Sequence, residues 1–372
     1  MKIIITGGHL TPAVALIEKL KEENWQIMYV GKEKGVGKKE TLEAETMRKM
    51  KVEFKNIITG SFMVRVNLSS VVALLKIPVG FVQSVWWIIS FKPDIIFSFG
   101  GYMSAPVCLA GKMLGVSYYL HEQTEKLGIA NSLTARCAKK IFISYKVTKK
   151  IDEKFAKKMV YSGNLIRKSV YEKKEREMPG FLEKKLKKPI IFVTGGNQGA
   201  HKINTVVGYI LEELLDKYCV IHQTGNAEPF YDYERFKKLR NSLSAFRRER
   251  YIVVDRVDVD EMSYIFQEAD LVVGRAGANT VTEVAYFGVA AVLVPLAISS
   301  MNEQDENARR LEKTGLAVRI KENELDGVRL LMEIEKMLCK RRELKESKKK
   351  AREVVKDDAV EVVYKNICKD EI

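Results

Sequence analysis

Short apolar runs rich in valine and isoleucine alternate with amphipathic segments along most of this chain. The stretch Val272–Val294 shows the pattern most clearly. A β-branched run leads to Arg275 and a glycine-containing turn, an amphipathic segment carrying Glu283 follows, and Gly288 precedes a second apolar run. This order predicts strand, turn, helix and strand, with polar side chains where the first strand ends. Ligands of open α/β sheets bind at such strand ends.

The same alternation begins at the first residues and restarts in the second half of the chain. Lys2–Thr6 predicts a strand, and a Gly-Gly turn then leads into a predicted helix, Pro12–Glu23, with Thr11 as its N-cap. A second series begins with the predicted strand Pro189–Thr194. We therefore predict an α/β fold of two Rossmann-like domains, whose parallel sheets face a cleft.

A charged stretch, Lys168–Lys188, separates the two series and places the domain boundary near residue 165. The predicted domains are residues 1–165 and 166–345, followed by a helical tail, 346–372, whose return to the first domain is left open. The basic run Lys336–Arg352 is typical of a solvated helix face, with a lipid-facing surface as the alternative.

Composition narrows the partners and the compartment. The 372 residues carry a net charge of +15, which suggests an anionic partner such as nucleic acid, acidic lipid or a nucleotide phosphate. No nucleic-acid-binding motif accompanies the charge, so we expect no nucleic acid partner. The five cysteines lack CxxC spacing, which indicates a reducing compartment. The first apolar run is short for a signal peptide, and no run reaches about 18 apolar residues, so we expect a cytosolic protein.

One segment, Phe62–Phe91, is unusually apolar and aromatic. A buried pair of helices separated at Pro78 explains much of this character. Trp86 and Trp87, with lysine and arginine nearby, also suit a surface that rests on anionic lipid. The pattern leaves both interpretations open.

Seven short motifs are weak singly and more specific in their order along the chain. They are Thr6-Gly7-Gly8-His9; Gly100-Gly101-Tyr102 with Ser104 and Pro106; His121-Glu122-Gln123 with Gly128 and Asn131; Gly163-Asn164 with Arg167; Gly195-Gly196 with Gln198-Gly199-Ala200; Arg275-Ala276-Gly277 with Thr280 and Glu283; and Gln304 with Asn307-Ala308. Together they resemble the peptidoglycan glycosyltransferases of glycosyltransferase family 28, which have a GT-B fold. The resemblance runs from about residue 1 to residue 320.

The resemblance implies transfer of N-acetylglucosamine from UDP-GlcNAc to the C4 hydroxyl of N-acetylmuramic acid in lipid I, with inversion, giving lipid II and UDP. The first domain would then bind the acceptor and an anionic membrane surface, and the second would bind UDP-GlcNAc. The resemblance also implies a peripheral protein on the cytoplasmic side of the cell membrane, with no cofactor and no protein-bound metal. Asp258 and Asp260 have a metal-binding spacing, but their position is typical of a helix start.

Inverting transfer needs a base near the attacking hydroxyl and stabilisation of the leaving diphosphate. His9 is the predicted base, because a neutral imidazole can take the proton, with acceptor orientation or plain capping as its alternatives. The resemblance implies a donor-binding set: Arg167, Asn197, Gln198, Val259, Ala278, Asn279, Thr280, Glu283 and Gln304. It also implies an acceptor set: Thr6, Gly7, Gly8, Gly100, Gly101, Tyr102, His121, Glu122, Gln123 and Asn131. We expect Arg275 to brace its loop.

Five residues at four sites depart from the family pattern, and they leave the acceptor side less secure. Ile4-Ile5 stand where a further Gly-Gly is usual, which predicts a stiffer loop near the acceptor diphosphate; Asn197, Leu165 and Glu303 are the other departures. The alternatives are a related family 28 transferase acting on another lipid, or a non-catalytic nucleotide-sugar-binding protein. A dehydrogenase is disfavoured because no G-x-G-x-x-G follows the first strand.

Overall fold

A computed structural model describes residues 1–34, 40–60, 68–146, 153–171, 178–182, 186–187, 189–196, 198–299, 302–340 and 343–371. The chain folds into two compact units. The first contains Met1–Lys168 and Lys356–Ile372, and the second is Ser169–Val355.

Seven parallel strands form the sheet of the first unit. They are β1 (Lys2–Thr6), β2 (Gln26–Gly31), β3 (Glu53–Asn56), β4 (Ile95–Ser98), β5 (Ser117–Glu122), β6 (Lys140–Ile143) and β7 (Met159–Tyr161). Their order in the sheet is β3-β2-β1-β4-β5-β6-β7. The order therefore reverses between β1 and β4, and such a switch point opens a crevice at the carboxyl ends of the two strands.

Helices join these strands and cover both faces of the sheet. They are α1 (Leu10–Glu22), α2 (Leu42–Lys49), α3 (Leu68–Phe91), α4 (Ser104–Met113) and α5 (Ile129–Thr134), and the short α6 (Lys168–Tyr171) follows β7. Alternate residues of β1 enter different cores, because successive strand residues point to opposite faces. Ile3 and Ile5 pack with α1, whereas Ile4 packs with α3 and α4.

The second unit has a six-stranded parallel sheet in the order β10-β9-β8-β11-β12-β13. Its strands are β8 (Ile190–Thr194), β9 (Cys219–Gln223), β10 (Tyr251–Val254), β11 (Leu271–Gly274), β12 (Ala290–Leu293) and β13 (Ala317–Arg319). Its helices are α7 (His201–Lys217), α8 (Asp232–Ser242), α9 (Ala245–Arg248), α10 (Val259–Glu268), α11 (Ala278–Phe287), α12 (Glu303–Lys313), α13 (Gly327–Lys340) and α14 (Lys345–Arg352). The switch point lies between β8 and β11.

The last helix, α15 (Ala359–Glu371), belongs to the first unit. Val360, Val363 and Ile367 are buried in the same core as α1. Lys139 and Lys140, at the start of β6, pair with the carboxylates of Glu371 and Asp370. The end of the chain is therefore part of the packing of the first unit.

The start of α1 differs from the prediction. Thr11 was expected to cap the helix, but the helix begins at Leu10 and the N-cap residue is His9, with an extended backbone. Thr11 and Pro12 are the second and third helical residues. Pro12 is tolerated there because the first four N–H groups of a helix have no intrahelical acceptor. The consequence is that His9, not Thr11, occupies the junction between the glycine turn and the helix.

The predicted break at Pro78 is wrong. Pro78 lies inside the continuous 24-residue helix α3, although an interior proline costs about 3 kcal/mol. Packing against α4 and the burial of Ser84, Trp87 and Ile88 offset that cost. The start of the predicted apolar segment, residues 62–67, lies outside the described residues. Among the helices that the structure describes, none combines the length and apolar character needed to cross a membrane.

Ile4 and Ile5 were expected to stiffen a loop, and this expectation is wrong. Both residues lie inside β1, where Ile5 pairs with Tyr29 on one side and Phe97 on the other, and both are fully buried. The strand is extended by the two isoleucines because β-branched side chains suit a buried strand. The glycine turn begins only at Gly7.

Candidate functional site

The predicted motifs lie at the switch points of the two sheets. In the first unit, Gly7-Gly8 follows β1 and Gly100-Gly101 follows β4. In the second unit, the turn at residues 195–200 follows β8, and Arg275-Ala276-Gly277 follows β11. Each unit therefore presents two turns at the place where open parallel sheets bind ligands.

The two glycine turns of the first unit are in direct contact. A β-carbon on Gly8, whose φ is +148°, would lie 2.5 Å from the carbonyl oxygen of Gly100. A β-carbon on Gly101 would lie 3.0 Å from the Cα atom of Gly8. Only glycine allows this approach, so the backbones of both turns are held together.

His9 follows Gly8, and its ring has a defined orientation. Its Nδ1 atom lies 3.0 Å from the carbonyl oxygen of Phe99, and the side chain is partly exposed. A carbonyl oxygen can only accept, so Nδ1 carries the hydrogen of this bond. In the neutral ring, Nε2 then holds the lone pair. This is the arrangement that a general base requires.

His121, by contrast, is buried at 1% exposure. Its Nε2 atom donates to the carbonyl oxygen of Gly163 at 3.4 Å, and its ring packs against Phe99. Burial lowers its pKa to about 3, the hydrogen bond to Gly163 opposes this, and the nearby His9 lowers it further. His121 is therefore a neutral core side chain at pH 7 in this conformation.

Glu122 and Asn131 use their polar atoms to build a loop. Glu122 accepts hydrogen bonds from the N–H groups of Thr124 and Gly128 at 3.1 and 2.8 Å, and from the Asn131 amide at 2.9 Å. The same amide also reaches the carbonyl oxygen of His121. These contacts fix the segment between β5 and α5. They also place the Asn131 side chain against Gly100.

The remaining predicted acceptor residues lie around the same strand ends. Thr6 is fully buried, and its hydroxyl has no hydrogen-bond partner within the described part of the chain. Gln123 is buried and donates to Asn164 at 3.0 Å. Tyr102 is partly exposed in the turn after β4. The structure thus brings all ten predicted acceptor residues to the carboxyl edge of one sheet.

Hydrogen bonds from the backbone and from neighbouring side chains hold the turn after β8. The N–H of Gly196 donates to the Thr194 hydroxyl at 3.0 Å, and that hydroxyl donates to Gln223 at 2.9 Å. Gly199 has a φ of +83°, and a β-carbon there would collide with the carbonyl oxygen of Thr224. Gln198 is exposed on this turn. Asn197, predicted to bind the donor, lies outside the described residues.

Helix α11 starts at the second turn of this switch point. Ala278, Asn279 and Thr280 are its first three residues, after the N-cap Gly277. The first N–H groups of a helix lack intrahelical acceptors, and the positive end of the helix dipole favours an anion. Glu283 lies in the second turn of α11, as its sixth residue. It is partly exposed on the helix.

A brace holds the loop beside α12. Arg275 pairs with Glu322 at 2.5 Å and donates to the carbonyl oxygen of Val294, while Ala297 donates to the same carboxylate. This confirms the bracing role predicted for Arg275. Gln304 accepts from the N–H of Leu296 at 3.0 Å, which aims its amide by fixing the oxygen. A ligand at Gln304 would therefore meet the NH₂ group.

Arg167 has a placement that the sequence did not indicate, whereas Val259 lies at the predicted helix start. Arg167 belongs to the first unit, where it is buried and its Nε atom lies 3.7 Å from Glu18 of α1. Val259 is the first helical residue of α10. The N–H of its neighbour Asp258 donates to Glu261, which confirms the predicted helix start. No group of three metal-ligating side chains occurs within the described ranges.

Glu43 was missed by the sequence analysis. It lies in the first turn of α2, and its carboxylate reaches the turn at Gly7 and Gly8. Its amphipathic helix contained no family motif. The available signal in the sequence was a polar residue that follows a strand and a loop, and this signal is weak.

Comparisons with known proteins agree with this geometry. Residues 3–143 match the glycosyltransferase family 28 N-terminal domain, and residues 190–363 match the family 28 C-terminal domain. The UDP-N-acetylglucosamine--N-acetylmuramyl-(pentapeptide) pyrophosphoryl-undecaprenol N-acetylglucosamine transferase of Caldanaerobacter subterraneus is 31% identical, covering 96% of either chain. The protein of the same name from Clostridioides difficile is 28% identical over 99% of this chain and 89% of its own.

Solved structures give the same result. The crystal structure of MurG from Acinetobacter baumannii has a TM-score of 0.69 and 25% identity, covering 99% of both chains. A UDP-GlcNAc 2-epimerase from Methanocaldococcus jannaschii has a TM-score of 0.63 at 15% identity, which shows a shared fold alone. The predicted GT-B fold class, with two parallel α/β sheets, is confirmed. The chain belongs to glycosyltransferase family 28.

Proposed function

We propose that this protein transfers N-acetylglucosamine from UDP-GlcNAc to the C4 hydroxyl of the N-acetylmuramyl unit of lipid I, producing lipid II and UDP. One combined observation supports the proposal. The names of relatives that align over nearly the full chain state this activity, and this chain has turns at both switch points. One pair of turns suits a sugar acceptor with a base beside it, and the other suits a nucleotide diphosphate.

On the acceptor side, His9 is the proposed base. As the C4 oxygen attacks the anomeric carbon, its proton passes to Nε2, the C4–O–C1 bond forms, and the bond from C1 to the β-phosphate oxygen breaks. The bonding electrons leave with UDP. The Nδ1–H bond to Phe99 supports this role, because it keeps the lone pair on Nε2 and fixes the plane of the ring.

On the donor side, the start of α11 is proposed to receive the diphosphate. Its first N–H groups and helix dipole would stabilise the charge that builds up on the leaving group. Glu283 would accept from the ribose hydroxyls, Gln304 would donate its NH₂ group to the sugar, and the backbone at Val259 would read the uracil edge. Gln198 completes the proposed set of the second unit. No protein-bound metal enters this proposal.

We also propose that the first unit rests on an anionic membrane from the cytoplasmic side. Five large apolar side chains of α3 are exposed at spacings of three and four residues, which places them on one helix face. They are Leu75, Val79, Val82, Trp86 and Ile89. Leu109 and Met113 of the adjacent α4 are exposed as well, and Lys76, Lys92 and Lys112 supply positive charge nearby. Trp87 is buried, so Trp86 alone of the tryptophan pair serves this surface.

The test is a transfer assay with labelled UDP-GlcNAc and polyprenyl-diphosphate-linked N-acetylmuramyl pentapeptide. We expect a lipid-linked disaccharide with a β1→4 linkage and one UDP per disaccharide. A parallel panel contains polyprenyl-diphosphate-linked N-acetylglucosamine and diacylglycerol. Product with a panel lipid and none with lipid I would replace the proposal by another family 28 transferase. UDP-GlcNAc binding without turnover on any acceptor would indicate a non-catalytic protein.

A further inference from the structure

A partly buried carboxylate lies behind the glycine turn that precedes His9. The carboxylate of Glu43 in α2 faces the backbone N–H groups of Lys32 and Gly8, and the Tyr29 hydroxyl lies beside it. The closeness is visible at Gly7, where a β-carbon would meet the Tyr29 hydroxyl at 3.0 Å and the two Glu43 oxygens at 3.1 and 3.2 Å. A residue with a side chain would displace this carboxylate.

The Glu43 carboxylate lies next to the ends of two strands. Gly8 follows β1 and Lys32 follows β2, and the N–H groups of both face the same carboxylate. At Gly31, the last residue of β2, a β-carbon would lie 3.0 Å from a Glu43 oxygen. A carboxylate can serve both N–H donors because it has two oxygens and no hydrogen of its own. Burial raises the pKa of Glu43, and the hydrogen bonds from Lys32 and Gly8 oppose that rise.

Gly8 connects the Glu43 carboxylate to the ring of His9. One side of Gly8 packs on the backbone of Phe99 and Gly100, where a β-carbon would lie 2.8 and 2.5 Å from the two carbonyl oxygens. Its N–H faces the Glu43 carboxylate on the other side, and that carboxylate packs against Gly7. The next residue, His9, donates Nδ1–H to that same Phe99 carbonyl. Movement of Gly8 away from Glu43 would therefore change the geometry of the His9–Phe99 bond.

We propose that Glu43 is a positioning residue for catalysis, which holds the Gly7–Gly8 turn so that His9 keeps Nδ1–H on Phe99 and Nε2 toward the acceptor. Glu43 itself contacts neither substrate. This inference rests on the proposed role of His9 as the base. It predicts that the carboxylate contributes to turnover through the tautomer and orientation of one imidazole ring.

The test compares Glu43→Gln and Glu43→Asp in the full-length protein. An amide places an NH₂ group against one of the two N–H groups and removes the negative charge that attracts them. We expect Glu43→Gln to lower kcat about 10–100-fold, since small misplacements of a catalytic group have effects of that size. KM for UDP-GlcNAc should stay within about two-fold, and Glu43→Asp should recover part of the turnover.

A spectroscopic readout separates positioning from general loss of structure. The chain has four histidines, so ¹⁵N-labelled imidazole signals can be assigned with a His9→Gln reference. In the unaltered protein, His9 should show the Nδ1–H tautomer; in Glu43→Gln it should shift toward Nε2–H. Glu45→Gln is the matched control, because Glu45 lies in the same helical turn and pairs with Lys49 at 3.3 Å. It should change neither kcat nor the His9 signal.

Two results would overturn the inference while leaving the transferase assignment intact. One is a Glu43→Gln protein with an unchanged His9 signal. The other is full kcat together with an altered signal, which would separate the ring geometry from catalysis. Failure of the unaltered protein to form product from lipid I would instead overturn the proposed function.

Discussion

The Nδ1 atom of His9 and the carbonyl oxygen of Phe99 lie 3.0 Å apart, although 90 residues of sequence separate them. β1 and β4, the strands that end beside these residues, are neighbours in the sheet. The sheet topology thus brings a candidate base to a fixed backbone acceptor. Because the acceptor belongs to the backbone, substitution of the Phe99 side chain does not remove it.

Replacement of His9 should affect the chemical step more than donor binding. We expect His9→Ala to lower kcat about 10²–10⁴-fold, which is the usual contribution of a general base. The affinity for UDP should be unchanged, because the proposed donor turns lie in the other unit. Steady-state kinetics and calorimetric titration with UDP measure the two effects. Weakened UDP binding with normal turnover would contradict the role assigned to His9.

Glu283 should show the opposite pattern. A hydrogen bond to a charged group contributes about 1.5–3 kcal/mol, so loss of its bond to the ribose should raise the Kd for UDP about 10–150-fold. Glu283→Ala is the suitable variant, because an amide oxygen in its place could still accept from the ribose. Glu335→Ala is the control; Glu335 lies on α13 and pairs with Lys217 of α7. Deoxyuridine diphosphate lacks the 2′ hydroxyl, so its Kd should differ less between the unaltered protein and the Glu283 variant. Equal UDP affinity in the Glu283 variant would exclude the ribose contact.

Two buried histidines should make both units less stable in acid. Burial lowers the pKa of His121 and of His222 to about 3, whereas the unfolded chain takes up these protons near pH 6.5. The unfolded state therefore binds more protons between about pH 3 and 6.5, so the free energy of unfolding falls as pH decreases through that window. From pH 7.5 to 5.5 the loss is about 1.4 kcal/mol for each histidine.

Chemical denaturation of His222→Gln at the two pH values tests this expectation. Nδ1 of His222 faces the Tyr251 hydroxyl at 2.9 Å and Nε2 faces the Asn204 side chain at 3.0 Å, so the substitution also changes the absolute stability. The pH-dependent part is the relevant quantity, and it should shrink by about 1.4 kcal/mol for the transition of the second unit. An unchanged pH dependence would show that the pKa of His222 is the same in the folded and the unfolded state.

The sequence predicted most strands and the site turns because both depend on local pattern. Runs of β-branched residues marked β1, β8 and β11, and glycines marked the turns that needed them. Glu43 was not predicted because its proximity to the turn after β1 is a tertiary contact that the local pattern does not show. The continuity of α3 through Pro78 likewise depends on packing against α4, which outweighs a local preference. The burial of His121 and the pairing of Arg167 with Glu18 are also tertiary effects.

The exposed face of α3 yields a prediction about membranes. Trp86 is 63% exposed, and burying such a side chain in an apolar medium contributes about 1.5–3 kcal/mol. Trp86→Glu should therefore lower partitioning onto phosphatidylglycerol vesicles at least about 10-fold. Tyr209→Glu is the matched control, because Tyr209 is an aromatic residue of α7 in the second unit and is 80% exposed. Vesicle sedimentation measures both.

Salt dependence distinguishes the two contributions to this binding. Lys76, Lys92 and Lys112 should each add about 1 kcal/mol near an anionic surface, and this part should weaken as salt rises from 50 to 500 mM. The apolar part from α3 should persist, so Trp86→Glu should retain its defect at high salt. Equal binding of Trp86→Glu and Tyr209→Glu would show that α3 does not face the lipid. In that case the net charge of +15 alone would account for any vesicle binding.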